Sequence, residues 1–182
     1  MQYLVLSDIH GGINNLRVAI EYFKSNKLDK IIILGDILYH GPRNDLPMDY
    51  QPKEVINLLN QHKDKIIAVR GNCDAEVDQM VLEFNVSEDY KVINLKNLDV
   101  YISHGHIYYP ENLISTMKKN DAFLFGHIHL PLTLFEDNHY ILNPGSLTIP
   151  KEDNPASFAL LNDNEFTIFD ISKNILKQIY FN

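Results

Sequence analysis

The chain has 182 residues, of which 45% are hydrophobic and 22% charged, a composition typical of a soluble globular protein and unlike that of a disordered chain. Its 24 acidic residues outnumber its 16 Lys and Arg residues, and the net charge of −8 argues against a surface that coats nucleic acid or binds an anionic membrane. The single cysteine excludes an intrachain disulfide, which fits a reducing compartment. The first eight residues contain no basic segment, so we expect no signal peptide, no membrane partner and a cytoplasmic location.

The first part of the chain alternates between strand and helix patterns. Three β-branched-rich runs of strand length are Tyr3–Leu6, Ile31–Leu34 and Ile66–Val69. An amphipathic helical stripe follows the first run and is formed by Leu16, Ala19, Ile20 and Phe23. A second helix is predicted over Pro52–His62, with its proline in the first turn. This order predicts parallel strands that are joined by helical crossovers.

From Tyr90 onward strands predominate. Tyr90–Leu95 and Leu98–Ser103 are predicted to form a hairpin, and a helix near Glu111–Lys119 precedes a buried strand at Ala122–Phe125. Five further predicted strands, joined by turns rich in Asp and Asn, are Leu132–Phe135, Tyr140–Leu142, Ser157–Leu161, Phe166–Ile171 and Ile175–Tyr180. We therefore expect a mixed α/β domain with two packed sheets and outer helices, formed by residues 1–182 as a single domain.

Polar clusters follow five of the apolar runs. They are Ser7-Asp8-Ile9-His10-Gly11, Gly35-Asp36, Arg70-Gly71-Asn72, Ser103-His104-Gly105-His106 and Gly126-His127-Ile128-His129. Ligands bind at the carboxyl ends of strands in α/β sheets, so five segments can bring these side chains to one place. Oxygen and imidazole ligands without a thiolate suit Mn, Fe, Ni or Zn. Seven candidate ligands are too many for one tetrahedral ion, whereas two ions that share a carboxylate would use them all and could support phosphoryl transfer.

The clusters contain the motifs D-x-H, GD, GN, H-G-H and G-H-x-H, and Asn143-Pro144-Gly145-Ser146 follows them. Together these motifs resemble those of the calcineurin-like metallophosphoesterases. The local sequences at 39–44 and 71–74 are similar to those of the YfcE-type phosphodiesterases within that family. The resemblance implies a four-layer α/β/β/α sandwich of two mixed sheets flanked by helices. It also implies two divalent metal ions per chain, with Mn²⁺ expected and Ni²⁺, Co²⁺, Fe²⁺ or Zn²⁺ as alternatives. One ion would be held by Asp8, His10 and His129, the other by Asn72, His104 and His127, and Asp36 would bridge them.

The function implied by the resemblance is hydrolysis of a small phosphodiester by a hydroxide that two metals activate. Asn72 and His104 would also act in catalysis by helping to hold the phosphate. A phosphomonoesterase is the first alternative, but three arginines offer little positive charge to a dianionic monoester. A non-catalytic interaction scaffold of the same fold is the second, and the complete ligand set argues against it. A homo-oligomer is left open.

Cys73 occupies the position where many relatives have a catalytic histidine that the next acidic residue, here Asp74, would hold. A thiol is a poorer hydrogen-bond donor than an imidazolium, so Cys73 is either a weak catalytic group or a small buried hydrophobe. His106 and Tyr39 are the alternative proton donors. Arg43, on a Gly-Pro loop, is either a substrate phosphate ligand or a solvated loop residue.

Several other residues have simpler interpretations. Asn72 could cap a helix that begins at Asp74. His62 and His139 are predicted to be structural histidines. Arg70 has no assigned role, and we expect its side chain to point away from Asn72.

Overall fold

Two mixed sheets make up most of the structure, a computed structural model that describes residues 1–113 and 116–182. Its strands are β1 (Tyr3–Leu6), β2 (Lys30–Ile33), β3 (Ile66–Ala68), β4 (Tyr90–Asn94), β5 (Asp99–Ser103), β6 (Ala122–Leu124), β7 (Pro131–Glu136), β8 (His139–Pro144), β9 (Ser157–Leu161), β10 (Glu165–Asp170) and β11 (Ile175–Tyr180). Its α-helices are α1 (Asn14–Ser25), α2 (Pro52–Asn60) and α3 (Pro110–Leu113). Short 3₁₀ helices lie at Lys63–Lys65 and Asp78–Met80.

The parallel strands lie at one end of the first sheet and in the centre of the second. The first sheet has the order β11-β10-β9-β1-β2-β3, and β1, β2 and β3 are parallel. The second sheet has the order β4-β5-β6-β8-β7, in which β5, β6 and β8 are parallel. The predicted β4–β5 hairpin is present, with Tyr90 opposite Ser103. Both the helical crossovers and the two packed sheets of the sequence prediction are confirmed.

The alternation of side chains along β1 divides the interior into two main cores. Leu4 and Leu6 pack with the buried stripe of α1 in a cluster between the helices and the first sheet. Val5 faces the other way and packs with residues of the second sheet, such as Val100 and Ile102. A smaller cluster on the outer face of the second sheet contains Met117, Phe123, Phe125 and Ile141. The predicted four-layer arrangement is confirmed, although α3 is described over only four residues, Pro110–Leu113.

The predicted helix near Glu111–Lys119 is wrong in its extent. The α-helix covers Pro110–Leu113, residues 114 and 115 lie outside the described part of the chain, and the backbone has left the helical path by Lys118. The Asp121 carboxylate accepts a hydrogen bond from the Lys118 N–H at 2.9 Å, and Asn120 adopts a φ of +70°. A side chain that bonds to nearby backbone competes with the helical hydrogen bonds, so a turn forms here. No helix among the described residues is long and apolar enough to cross a membrane.

Candidate metal site

The candidate ligands lie at the carboxyl ends of five strands, where the two sheets meet. Asp8, Asp36 and Asn72 follow β1, β2 and β3, whereas His104 follows β5, and His127 and His129 follow β6. Backbone hydrogen bonds join neighbouring loops, because the Asp8 N–H donates to the Gly35 carbonyl at 3.2 Å and the Gly126 N–H donates to the His104 carbonyl at 2.9 Å. The structure therefore brings together all seven residues that the sequence singled out, which we call the candidate metal site.

Left-handed backbone is concentrated at this site. Five of the seven residues have a positive φ, namely Asp8 (54°), His10 (47°), Asp36 (54°), His127 (65°) and His129 (61°). Each such conformation costs a non-glycine residue of order 1 kcal/mol, and strained backbone of this kind clusters at functional sites. The fold thus holds these side chains in orientations that an unconstrained chain would avoid.

Two glycines allow the loops to approach one another closely. A Cβ atom on Gly71 would lie 2.1 Å from Oδ1 of Asp36, and one on Gly126 would lie 1.9 Å from Oγ of Ser7. Ser7 in turn donates a hydrogen bond from its hydroxyl to Oδ2 of Asp8 at 2.6 Å. Any larger residue at either glycine would therefore displace a carboxylate of the site.

Asp8, His10 and His129 form one group of ligand atoms. Oδ1 of Asp8 lies 3.1 Å from Nε2 of His129 and 3.6 Å from Nε2 of His10. The Nδ1 atoms of His10 and His129 donate to the carbonyls of Tyr39 and Ile149, which leaves each Nε2 lone pair facing the carboxylate. Among the described residues, Oδ1 of Asp8 and Nε2 of His10 are buried without a hydrogen-bond partner. Such a set of buried acceptors fits a cation.

Asp36, His104 and Asn72 form the second group. Nε2 of His104 lies 3.4 Å from Oδ2 of Asp36 and 3.0 Å from Oδ1 of Asn72, while its Nδ1 donates to the Leu34 carbonyl at 2.7 Å. Asp36 also lies within ligand range of Asp8, which connects the two groups.

His127 lies beside the second group. Its ring is centred 5.0 Å from that of His104, and its backbone N–H donates to Oδ2 of Asp8 at 3.1 Å. The side chain also lines the adjoining cavity. All seven donors are oxygens or imidazole nitrogens, the set expected for a divalent transition metal.

The pKa values at the site show how strongly its buried carboxylates and histidines interact. Burial alone would raise the pKa of Asp8, but the neighbouring imidazoles of His10 and His129 hold that pKa well below its usual range. Burial alone would lower the pKa of His104, yet the hydrogen bond to Asp36 and the charge of Asp8 raise that pKa to about 9. These buried carboxylates therefore favour positive charge beside them, which a bound cation would supply.

Asp74 supports the site in a way that the sequence did not indicate. Its carboxylate accepts hydrogen bonds from the backbone N–H groups of Asp36 (2.8 Å), Ile37 (2.8 Å) and Gly71 (2.7 Å). We expected Asp74 to be the partner of the side chain at position 73. The structure instead shows that Asp74 fixes the loops that carry Asp36 and Asn72.

Cys73 lies at the edge of the site and lines the adjoining cavity. Its backbone N–H donates to Oδ1 of Asp36 at 2.8 Å, and its Sγ accepts from the Asn72 amide at 3.2 Å. Burial, together with the nearby charge of Asp36, raises the pKa of the Cys73 thiol to about 12. The alternative role of Asn72 as a helix cap is wrong, because no described helix begins at Asp74.

The alternative proton donors are less well placed. The ring of His106 is centred 5.3 Å from that of His104, and burial, with the positive charge of His104 and His127, lowers the pKa of His106 to about 4. Tyr39 is exposed, and its ring packs on His40. Neither His106 nor Tyr39 is among the described residues that line the cavity.

The remaining residues mentioned in the sequence analysis lie apart from the site. Arg70 forms hydrogen bonds to Asp89 through Nε (2.9 Å) and a terminal nitrogen (2.6 Å), and it does not line the cavity. His62 packs edge-on against Phe23, and His139 is buried at the start of β8.

A cavity of about 550 Å³ adjoins the candidate metal site. Its lining includes the candidate ligands His10, Asp36 and His127 and two cationic residues, Arg43 and Lys151. Sequence reasoning named Arg43 as either a substrate phosphate ligand or a solvated loop residue, and it missed Lys151. No motif marks Lys151, and its position five residues after the Asn143–Ser146 motif was the one signal that could have indicated it.

Comparisons with known proteins agree with this geometry. Residues 1–165 match the calcineurin-like phosphoesterase superfamily domain. The chain is 39% identical over 183 residues to the phosphodiesterase YfcE of Escherichia coli, covering all of this chain and 99% of that protein. The structure of E. coli YfcE, described as a phosphoesterase, superimposes over the full length of both chains with a TM-score of 0.96. The zinc complex of Vps29 from Entamoeba histolytica covers both chains fully at 21% identity with a TM-score of 0.63, a likeness of fold alone.

Proposed function

The chain belongs to the calcineurin-like phosphoesterase superfamily, and we propose that it is a metal-dependent phosphodiesterase that acts on small phosphodiesters as a single domain of residues 1–182. The full-length similarity to a phosphodiesterase supports the reaction class. The observation that carries the proposal is the pair of buried, unpartnered atoms, Oδ1 of Asp8 and Nε2 of His10, within a cluster of carboxylates and imidazoles.

The donor set suggests how two divalent ions, with Mn²⁺ the proposed metal, would be held. Asp8, His10 and His129 would hold one ion, and Asp36 would be shared between both. The other ligands of the second ion would be Asn72, His104 and His127. When bound, such ions activate water as a nucleophile and neutralise the charge of the phosphoryl oxygens.

The protein's own groups orient this chemistry. The Nδ1–H groups of His10, His104 and His129 each donate to a backbone carbonyl, which fixes the rings with Nε2 directed into the site. The Asn72 amide and the His104 imidazole lie 3.0 Å apart, so both can contact one phosphoryl group. Arg43, on the cavity wall, can pair with a phosphate oxygen of the substrate.

A monoesterase and a scaffold have less support. A monoester dianion needs more positive charge than a diester monoanion, and the lining of the cavity contributes two cationic side chains, both of them exposed. A scaffold does not require seven converging ligands, five of them held in left-handed backbone.

The test compares bis(p-nitrophenyl) phosphate with p-nitrophenyl phosphate in the presence of Mn²⁺. We expect a higher kcat/KM for the diester, because the site offers limited charge to a dianion. Lys177, an exposed residue of β11, supplies the control, and Lys177→Gln should behave as wild type. A higher kcat/KM for the monoester across the pH range and with several metals would show that the diesterase proposal is wrong.

A further inference from the structure

Two cationic side chains from distant parts of the chain line the cavity next to the candidate metal site. Arg43 and Lys151 are both exposed, and among the described residues neither charged group has a hydrogen-bond or ion-pair partner. Some other cations of this acidic chain are paired, for example Arg17 with Glu54 at 3.4 Å, but it is their place in the lining of the cavity that distinguishes Arg43 and Lys151. Arg43 and Lys151 are therefore available to a ligand.

The loop that carries Arg43 is tied to the candidate metal site. The carbonyl of Tyr39, four residues before Arg43, accepts the Nδ1–H of His10 at 2.7 Å. The Asn44 amide, on the other side of Arg43, donates to the His40 carbonyl at 2.7 Å and closes the loop. The position of Arg43 is thus coupled to an imidazole of the site.

The loop that carries Lys151 is tied to the same site in the same way. The carbonyl of Ile149, two residues before Lys151, accepts the Nδ1–H of His129. The Lys151 carbonyl accepts hydrogen bonds from the backbone N–H (3.1 Å) and the side-chain amide (2.9 Å) of Asn154. These two bonds close a tight turn over residues 151–154. The Ser146 hydroxyl accepts the Ile149 N–H at 2.9 Å and anchors the start of the loop.

The cavity is larger than a phosphoryl group requires. Pockets of about 300–1,000 Å³ hold entire small molecules, so a cavity of about 550 Å³ has room for a substituent of the diester as well. The scissile diester carries one negative charge, and the candidate metal site already faces it. Two further free cations, in a protein with a net charge of −8, match a second anion on that substituent.

We propose that Arg43 and Lys151 form a clamp for a second phosphate group, so that the preferred substrates are phosphodiesters in which one substituent carries a phosphate monoester. The guanidinium can bind two phosphate oxygens at once, and the ammonium adds a point charge. This inference rests on the proposed phosphodiesterase function and specifies its substrate class.

The test uses two diesters that share one leaving group. They are the p-nitrophenyl ester of thymidine 5′-phosphate and the same ester with an added 3′-phosphate. For the wild type with Mn²⁺, we expect kcat/KM to be about tenfold higher for the substrate with the 3′-phosphate. Lys151→Gln and Arg43→Gln should each lower that ratio several-fold, whereas the control Lys177→Gln should keep it. A ratio near one in the wild type, or an unchanged ratio in both cavity variants, would overturn the clamp.

A binding measurement separates the clamp from the proposed function. Calorimetry of the Mn²⁺-loaded protein should show tighter binding of thymidine 3′,5′-bisphosphate than of thymidine 5′-monophosphate, and the preference should shrink in Lys151→Gln. If neither diester is hydrolysed but this preference is present, the phosphodiesterase proposal fails and the clamp stands. If the diesters are hydrolysed without any preference in rate or binding, the clamp fails and the phosphodiesterase proposal stands.

Discussion

At the scale of single residues, Cys73 is the position at which we expect a substitution to change how a departing alcohol is protonated. The Cys73 thiol, whose pKa burial and Asp36 raise to about 12, is a weak proton donor, so reaction rates should depend strongly on the leaving group. We expect Cys73→His to raise kcat/KM for diesters with poor leaving groups by up to about 100-fold, since general acid catalysis contributes about 10²–10⁴-fold. The gain should lie at the low end of that range because Asp74 already accepts hydrogen bonds from three backbone N–H groups and is therefore less available to orient the new histidine. The measurement is the slope of log kcat/KM against leaving-group pKa.

His106 provides the comparison for that experiment. Burial and the charges of His104 and His127 lower its pKa to about 4, and bound cations would lower this pKa further. His106 is therefore neutral and a poor acid at pH 7, and His106→Gln should leave the slope unchanged. Equal slopes in wild type and Cys73→His, together with a steeper slope in His106→Gln, would instead identify His106 as the proton donor.

His62 affects the pH dependence of stability. Burial and the charge of Lys24 lower its pKa below the ordinary value, so the folded protein favours the neutral ring. As the pH falls through the unfolded pKa of about 6.5, the unfolded chain binds a proton that the folded chain resists, and stability is lost. His62→Gln should therefore lose less free energy of unfolding than wild type between about pH 7.5 and about pH 5, as measured with urea. An identical loss in both proteins would contradict this assignment.

The site was predictable one residue at a time because each ligand follows a strand within a short motif. Lys151 was not predictable in this way, since only the folded turn brings it to the cavity. The support role of Asp74 was also hidden. Its bonds to the Asp36 and Ile37 N–H groups link loops 37 or more residues apart, and a sequence pattern does not show which backbone groups a carboxylate will meet.

At the scale of single elements, α1 illustrates how a local pattern specifies packing. Leu16 is fully buried in the core between α1 and the first sheet, while Glu21 on the same helix is exposed. Leu16→Ala should lower the free energy of unfolding by about 2–5 kcal/mol, because it leaves a cavity. Glu21→Ala should change it by no more than about 0.5 kcal/mol. Urea denaturation measures both, and a Leu16→Ala effect as small as that of Glu21→Ala would refute the packing described here.

Element boundaries and pairings were less predictable than element types. The runs that became β1, β9 and β11 were predicted with the bounds that the structure shows. The antiparallel insertion of β9 beside β1, which extends the first sheet to six strands, joins residues more than 150 positions apart. Apolar periodicity indicates which face of a strand is buried but not which strand lies next to it. The predicted helix near Glu111–Lys119 shows the opposite case, because at its predicted C-terminal end the Asp121 carboxylate binds the Lys118 N–H and a turn forms.

For the whole molecule, the excess of acidic residues leads us to expect that metal binding stabilises the folded state in addition to supporting catalysis. Two divalent ions would change the formal charge from −8 to −4 and would neutralise buried carboxylates at the meeting edge of the two sheets. Ions that bind only the folded state at about 100 times their Kd stabilise it by about 2.7 kcal/mol. Saturating Mn²⁺ should therefore raise the Tm of the chelator-treated protein by about 5–10 °C. An unchanged Tm would argue against a site formed by the fold.

The stoichiometry of metal binding tests the central claim most directly. Calorimetric titration of the chelator-treated protein with Mn²⁺, checked by elemental analysis after gel filtration, should give two ions per chain for wild type. Asp36→Asn keeps the oxygen that accepts the Cys73 N–H but removes the negative charge between the two groups of candidate ligands. It should therefore weaken the binding of both ions. His10→Ala should weaken the binding of chiefly one ion, and Lys177→Gln should bind two ions as the wild type does. Two ions with this pattern of loss are the predicted result, and one ion or none per wild-type chain at saturating Mn²⁺ would contradict it.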